Sequence, residues 1–327
     1  MKLVAALLAL ASAHPVLAAP QGTLAPRERR AIPVRQAPPQ QAQFQVLPLE
    51  RSAQNHLLVR AYINGKPALL GVDSGAPVSA IALNRVEHFR VKPVRTGSGV
   101  PGRLRINGRY NSVVVARSFR LGMLNLVDEP LVALDLSGSS KAAKMMEEEA
   151  IDGILGADIL FPTHAVLDCS AQVLILKVDP AAQGGVPGLD FSGLSSIPIE
   201  VTAGDNLYVN GTVNGRRAKL MVDTGAFGTL LHQRFVRRMK IPLRETAYTS
   251  AGVNLKQRGV QMATISRMSV GSVQMRKKEV GVIDLEGLIR NSLLDANPPV
   301  AGLLGAEILQ HHNGIIDFRT RTLYLRN

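Results

Sequence analysis

The sequence predicts a mainly β protein made of two tandem copies of one domain-sized unit, and three observations predict it. First, the chain repeats itself: Leu47-Pro48-Leu49-Glu50 recurs as Ile197-Pro198-Ile199-Glu200, and Ile63-Asn64-Gly65-Lys66 as Val213-Asn214-Gly215-Arg216, both at an offset of 150 residues. That period is far beyond the roughly 20 to 50 residues of solenoid repeats, so each copy is a domain. Second, apolar residues come in short runs with alternation, such as Leu57-Leu58-Val59, Ala68-Leu69-Leu70 and Val173-Leu174-Ile175-Leu176. Runs of this length bounded by turn residues read as strands. Third, Asn64-Gly65 and Asn214-Gly215 each stand between two such runs, which is the strongest short-range hairpin signal.

From the N-terminus, residues 1–18 read as a secretory signal peptide. Lys2 supplies the charged start, Leu3 to Ala13 the apolar run, and Val16-Leu17-Ala18 small residues before a cut. The mature chain is then expected to begin near Ala19 and to be exported, periplasmic or secreted. An uncleaved anchor is the competing reading, but a bilayer span needs about 20 apolar residues, and the run stops at His14-Pro15. No later segment reads as a transmembrane span. Residues 19–43, rich in Pro, Gln and Ala and carrying Arg27-Glu28-Arg29-Arg30, have too few large apolar groups to pack and read as a disordered leader.

Residues 44–177 form the first unit, 178–193 a linker rich in Gly and Pro, and 194–327 the second unit. Late in the units the offset shortens to 149: Gly153-Ile154-Leu155-Gly156-Ala157-Asp158 matches Gly302-Leu303-Leu304-Gly305-Ala306-Glu307. A short helix is expected after each Leu-Gly-Ala, with Asp158 and Glu307 in its first turn.

Composition removes several function classes. The chain has 327 residues, 46% of them hydrophobic, enough for a substantial core. Its formal charge of +13 suits anionic surfaces or acidic partners. Nucleic acid is not an expected partner, because aromatics make up 4%, Trp is absent, and the basic residues are scattered. Cys169, the single cysteine, cannot close an intramolecular disulfide and reads as a small buried hydrophobe. The seven histidines, His311-His312 included, lack the spacing of a metal site. Gly97-Ser98-Gly99-Val100-Pro101-Gly102 formally fits the dinucleotide fingerprint, but Pro101 and the strand-like Leu104 to Ile106 deny it the helix it needs. No metal and no cofactor is expected. Asp135, Asp284, Asp168 and Asp317 repeat in phase and are assigned to turns or caps.

The same 150-residue offset carries Val72-Asp73-Ser74-Gly75-Ala76 onto Val222-Asp223-Thr224-Gly225-Ala226. Asp-Ser/Thr-Gly-Ala directly after an apolar strand resembles the retropepsin-like aspartic proteases, in the tandem form of bacterial exported aspartyl proteases. Each residue type has a physical task. The carboxylate can do acid-base work on a water. The hydroxyl of Ser74 or Thr224 can bond across to the opposite loop, Gly75 and Gly225 let backbone amides approach the carboxylate, and Ala76 and Ala226 leave room for substrate.

The resemblance covers nearly all of the chain from residue 44 onward and implies two β-barrel domains pairing as an intramolecular pseudo-dimer, so that a monomer with pseudo-two-fold symmetry carries one Asp from each half. It implies that the strands ending at Gly156 and Gly305 support the catalytic loops. It further implies an endopeptidase in which a water between Asp73 and Asp223 attacks a peptide bond of a polypeptide substrate, with one proton shared by the pair. Neither a covalent intermediate nor a metal is required. Hairpin flaps over the cleft are expected near Thr96 to Arg103 and Thr249 to Asn254, with Gly97, Gly99 and Gly252 letting the tips bend. The alternative function is a non-catalytic peptide-binding module that keeps the protease fold.

Overall fold

The computed structural model describes residues 4–6, 43–95, 97–182, 184–202, 204–251, 258–290 and 293–327. The expected signal and leader segments lie outside these, apart from Gln43 and a short strand, Val4–Ala6, that runs parallel to Thr249–Ala251. The protein is mainly β, and each copy closes into a six-stranded barrel. The first runs Leu57–Ile63, Lys66–Val72, Gly153–Leu155, Ala80–Ala82, Leu124–Leu134 and Arg109–Leu121, then back to Leu57–Ile63. The second follows the same order through Leu207–Val213, Arg216–Val222, Gly302–Leu304, Leu230–His232, Val273–Ile283 and Gln261–Val270.

Local sequence explains the opening hairpin of each barrel. Asn64 and Gly65 have φ of 51° and 80°, and Asn214 and Gly215 have 47° and 80°, the left-handed pair whose twist matches that of the flanking strands. Along Leu57–Ile63, Val59, Ala61 and Ile63 turn into the core while Arg60 and Tyr62 stay exposed, the period-two pattern of a half-buried strand. The next strand differs: Ala68 through Val72 are all buried. Its buried end leads directly to Asp73.

The halves are fused by a third sheet of six strands, three from each copy, in the order Leu194–Pro198, Thr322–Arg326, Ile315–Asp317, Val166–Asp168, Val173–Lys177 and Phe44–Pro48. At its centre Leu167 pairs with Ile316, and these two residues are counterparts in the repeat. Either half alone would expose Val166–Asp168 or Ile315–Asp317 as an unpaired edge. The main hydrophobic cluster likewise runs through both copies, from Leu47 to Leu325.

The short helices Ala157–Leu160 and Ala306–His311 follow the two Leu-Gly-Ala segments as expected. The in-phase aspartates are turn formers: Asp135 and Asp284 each accept the N–H two residues on, and Asp168 and Asp317 accept two successive N–H groups. Cys169 is buried, and burial pushes its thiol up to about 12.

The hairpin of the first copy lies one loop beyond its expected place. Gly97 and Gly99, at φ of 83° and 76°, belong to a loop of turns and bends, and the hairpin is Arg103–Ile106 against Arg109–Ser112, with Asn107-Gly108 as its turn. The physical reason is again an Asn-Gly pair in left-handed conformation, at φ of 49° and 80°. In the second copy Thr249–Ala251 pairs with Arg258–Gly259, and Gly252 lies outside the described residues.

Candidate active site

Two loops, each following the second strand of its barrel, meet between the halves. Strand registry fixes them from behind: Asp73 N–H donates to Leu155 O and Asp223 N–H to Leu304 O, both at 3.0 Å. Each adjoining helix starts from the same loop, since Ala157 N–H donates to Ala76 O at 2.8 Å and Ala306 N–H to Ala226 O at 2.9 Å. Gly156 and Gly305 stand between support strand and helix. A Cβ on Gly156 would lie 2.8 Å from Ala76 O, and one on Gly305 2.6 Å from Thr229 N, so only glycine lets strand and loop come this close.

The loops also lock to each other. Ser74 N–H donates to Thr224 Oγ1 at 2.9 Å and Thr224 N–H to Ser74 Oγ at 3.1 Å. Each hydroxyl then donates across the junction, Ser74 Oγ to Val222 O at 2.9 Å and Thr224 Oγ1 to Val72 O at 2.7 Å. Four hydrogen bonds in a buried setting, where competing water is excluded, fix the relative position of the two aspartates.

Asp73 and Asp223 are fully buried. Gly75 N–H donates to Asp73 Oδ1 at 2.8 Å, and Ala226 N–H to Asp223 Oδ1 at 3.0 Å. Asp73 Oδ2 and Asp223 Oδ2 are buried and receive no donor from the protein. Two facing carboxylates offer each other only acceptors, so a shared proton is the donor that lets them bond. Burial first, then the neighbouring charge of Asp223, holds the Asp73 carboxyl well above the usual carboxylate range. Burial also pushes Asp223 up, to about 6, against the pull of the Gly225 and Ala226 N–H groups. The pair therefore keeps a proton where an exposed aspartate would have lost it.

The residues around the pair include several the motif did not single out. Ser79 donates its N–H to Asp158 Oδ2 at 2.8 Å and its Oγ to Asp158 Oδ1 at 2.6 Å, while accepting from Gly156 N–H at 3.0 Å. In the second copy Thr229 N–H donates to Glu307 Oε2 at 2.8 Å, and Thr229 Oγ1 accepts from Gly305 N–H at 3.1 Å. These groups tie the exit of each Asp-Ser/Thr-Gly-Ala loop to the Gly156 or Gly305 segment and the short helix that follows it. Their signal was in the repeat: Ser79 and Thr229 stand six residues after each aspartate, in phase, as do Asp158 and Glu307. Ile106, at the end of the first hairpin arm, is buried in one cluster with Ala76 and Ile154, so this hairpin packs directly beside the Asp73 loop.

Asp73, Ser74, Gly75, Ala76, Thr224, Gly225, Ala226, Asp223, Gly156 and Gly305 are thus brought together, whereas Gly97 and Gly99 stay on their own exposed loop. Among the described residues no three His, Cys, Asp or Glu side chains converge as metal ligands, and no helix is long and apolar enough to cross a membrane. No curated protein matches the chain. A family model described as aspartyl protease matches it twice, at residues 59–159 and 209–308, so that each match holds one Asp-Ser/Thr-Gly-Ala loop and its support strand. Together the matches span more than half of the sequence, and the chain belongs to the retropepsin-like aspartyl protease family in a tandem form.

Proposed function

We propose that the protein is an aspartic endopeptidase whose catalytic pair is Asp73 and Asp223. The observation that carries this reading is a fully buried carboxyl pair drawn from matched positions of the two halves, with both groups pushed toward protonation. Such a pair shares one proton, which is the state needed to act as base and acid in the same step.

Beyond the burial that raises both, the charge of Asp223 raises Asp73, whereas the bond to Asp73 lowers Asp223, so Asp223 is the member assigned as ionised, and it takes a proton from a water lying between the two groups. The water oxygen then bonds to the scissile carbonyl carbon, and Asp73 gives its proton to the carbonyl oxygen. When the tetrahedral adduct collapses, the C–N bond breaks. The amine nitrogen takes the proton from Asp223, and the hydroxyl proton returns to Asp73, so the pair ends in its starting state. The Ser74 and Thr224 bonds hold both carboxyls in place throughout. Polypeptide is the substrate this chemistry requires, and one chain supplies both carboxyls, so a monomer is the active unit.

Because the N-terminal pattern reads as an export signal, the site is assigned to a periplasmic or secreted protein beginning near Ala19. Incubation of purified protein with an unfolded protein substrate tests the activity. The wild type cleaves, and Asp73→Asn and Asp223→Asn each abolish cleavage. Wild-type turnover in either variant would refute the assignment.

A further inference from the structure

The two copies treat their support acids differently. Asp158 is sealed, with both oxygens engaged by Ser79. Glu307 gives Oε2 to Thr229 N–H, but its other oxygen faces Lys278 Nζ at 3.5 Å and opens onto a cavity of about 780 Å³. That volume lies within the range of small-molecule sites, about 300 to 1,000 Å³. One wall is the outward face of Val273–Ile283, where Gln274, Arg276 and Lys278 alternate. The other is the end of the Ala306–His311 helix, which brings His311 and His312. Arg276 sits across the ladder from Arg267 and has no ion-pair partner among the described residues.

We propose that this cavity binds a small anion carrying phosphate groups, held by Arg276 and Lys278 and bounded by the two imidazoles. Arg276 and Lys278 offer two cationic donor groups from one strand face, which suits a tetrahedral oxyanion, whereas a planar carboxylate is matched by one guanidinium fork. His312 Nδ1 is already bonded to Arg326 O at 2.8 Å. Glu307 and the negative end of a six-residue helix oppose an anion. Lys278 already offsets Glu307, and charge-assisted bonds from Arg276 exceed the weak dipole of so short a helix. Through Lys278 and Glu307 the occupant would reach Thr229, six residues beyond Asp223.

Titration calorimetry of inorganic pyrophosphate into the full chain tests the site, and it needs no proteolytic activity, so its failure leaves the catalytic reading untouched. The expected result is saturable one-to-one binding that weakens with added salt. Affinity falls at least about tenfold in the double variant Arg276→Gln, Lys278→Gln, and is unchanged in Arg103→Gln, Arg105→Gln on the distant hairpin. Citrate, as the carboxylate comparison, binds more weakly. Absence of saturable binding, equal affinity in the cavity double variant, or tighter binding of citrate than of pyrophosphate would each overturn the proposal.

Discussion

Ser74 and Thr224 each donate a backbone N–H to the other's hydroxyl oxygen, at 2.9 and 3.1 Å, so neither aspartate loop is complete without the opposite half. Thr224→Val removes the acceptor of Ser74 N–H and the donor to Val72 O, both buried. Leaving two such groups unpaired costs about 2 to 4 kcal/mol. Thr224→Ser keeps both bonds and loses one methyl, about 1 kcal/mol. Urea denaturation of the two variants checks the difference. Because the halves share one core cluster and one sheet, the loss should shift a single transition rather than split it.

How far the sequence revealed this arrangement varies with the kind of physics involved. Two tandem β units and their opening hairpins are legible in the repeat and the Asn-Gly pairs, because hairpin turns and strand alternation are local, whereas closure into barrels follows from the family resemblance. The grouping of Asp73 with Asp223 followed from the family resemblance and not from spacing. The family resemblance places the first hairpin by position only, near Thr96 to Arg103, whereas the local turn signal that sets it is Asn107-Gly108. Asp158 and Glu307 read from the sequence only as first-turn helix acids, and their bonds to Ser79 and Thr229 are not legible there, because the contacts join residues 76 to 79 positions apart and no local pattern carries them.

Gly225 lies against Asp73 so closely that an added Cβ would stand 2.5 Å from the Asp73 Cγ, and a Cβ on Gly75 would stand 2.8 Å from the Asp223 Cγ. Each glycine therefore leaves room for the opposite carboxyl. Gly225→Ala must push Asp73 away from Asp223, and displacements on the ångström scale typically cost about 100-fold in rate. The expected outcome is a folded protein with cleavage reduced by roughly that factor, read as kcat/KM beside the circular dichroism of the wild type. Undiminished cleavage would mean that the two loops are not held this tightly.

Ile106 anchors the first hairpin against the Asp73 loop. Ile106→Ala removes a fully buried side chain, worth about 2 kcal/mol or more. Among the described residues the arm Arg103–Ile106 pairs with no strand but Arg109–Leu121, so the loss is expected locally. Amide exchange across residues 103–112 should speed roughly 30-fold, with little change on Leu57–Ile63. Uniform acceleration over the whole barrel would instead mean that hairpin and barrel open together.

The carboxyl pair also fixes how stability should depend on pH. Asp223 has a folded pKa of about 6, raised from 3.8 by burial, and Asp73 is raised in the same direction. A raised carboxyl is favoured while protonated, so its contribution is fully present below about 4 and is lost as pH rises through about 6. Two units correspond to about 3 kcal/mol for Asp223 alone. Asp158, also raised to about 6 by burial, adds in the same sense. Asp135 and Asp190, lowered by Ser137 and Ser192 donors, act oppositely and lose their contribution as pH falls. The difference between wild type and Asp223→Asn isolates the pair, because the amide cannot ionise and the other groups cancel. Urea unfolding between pH 4 and 7.5 should show wild type losing stability relative to Asp223→Asn as pH rises. A difference that stays flat, or grows in favour of the wild type, would mean that Asp223 is ionised in the folded protein as freely as in the unfolded chain.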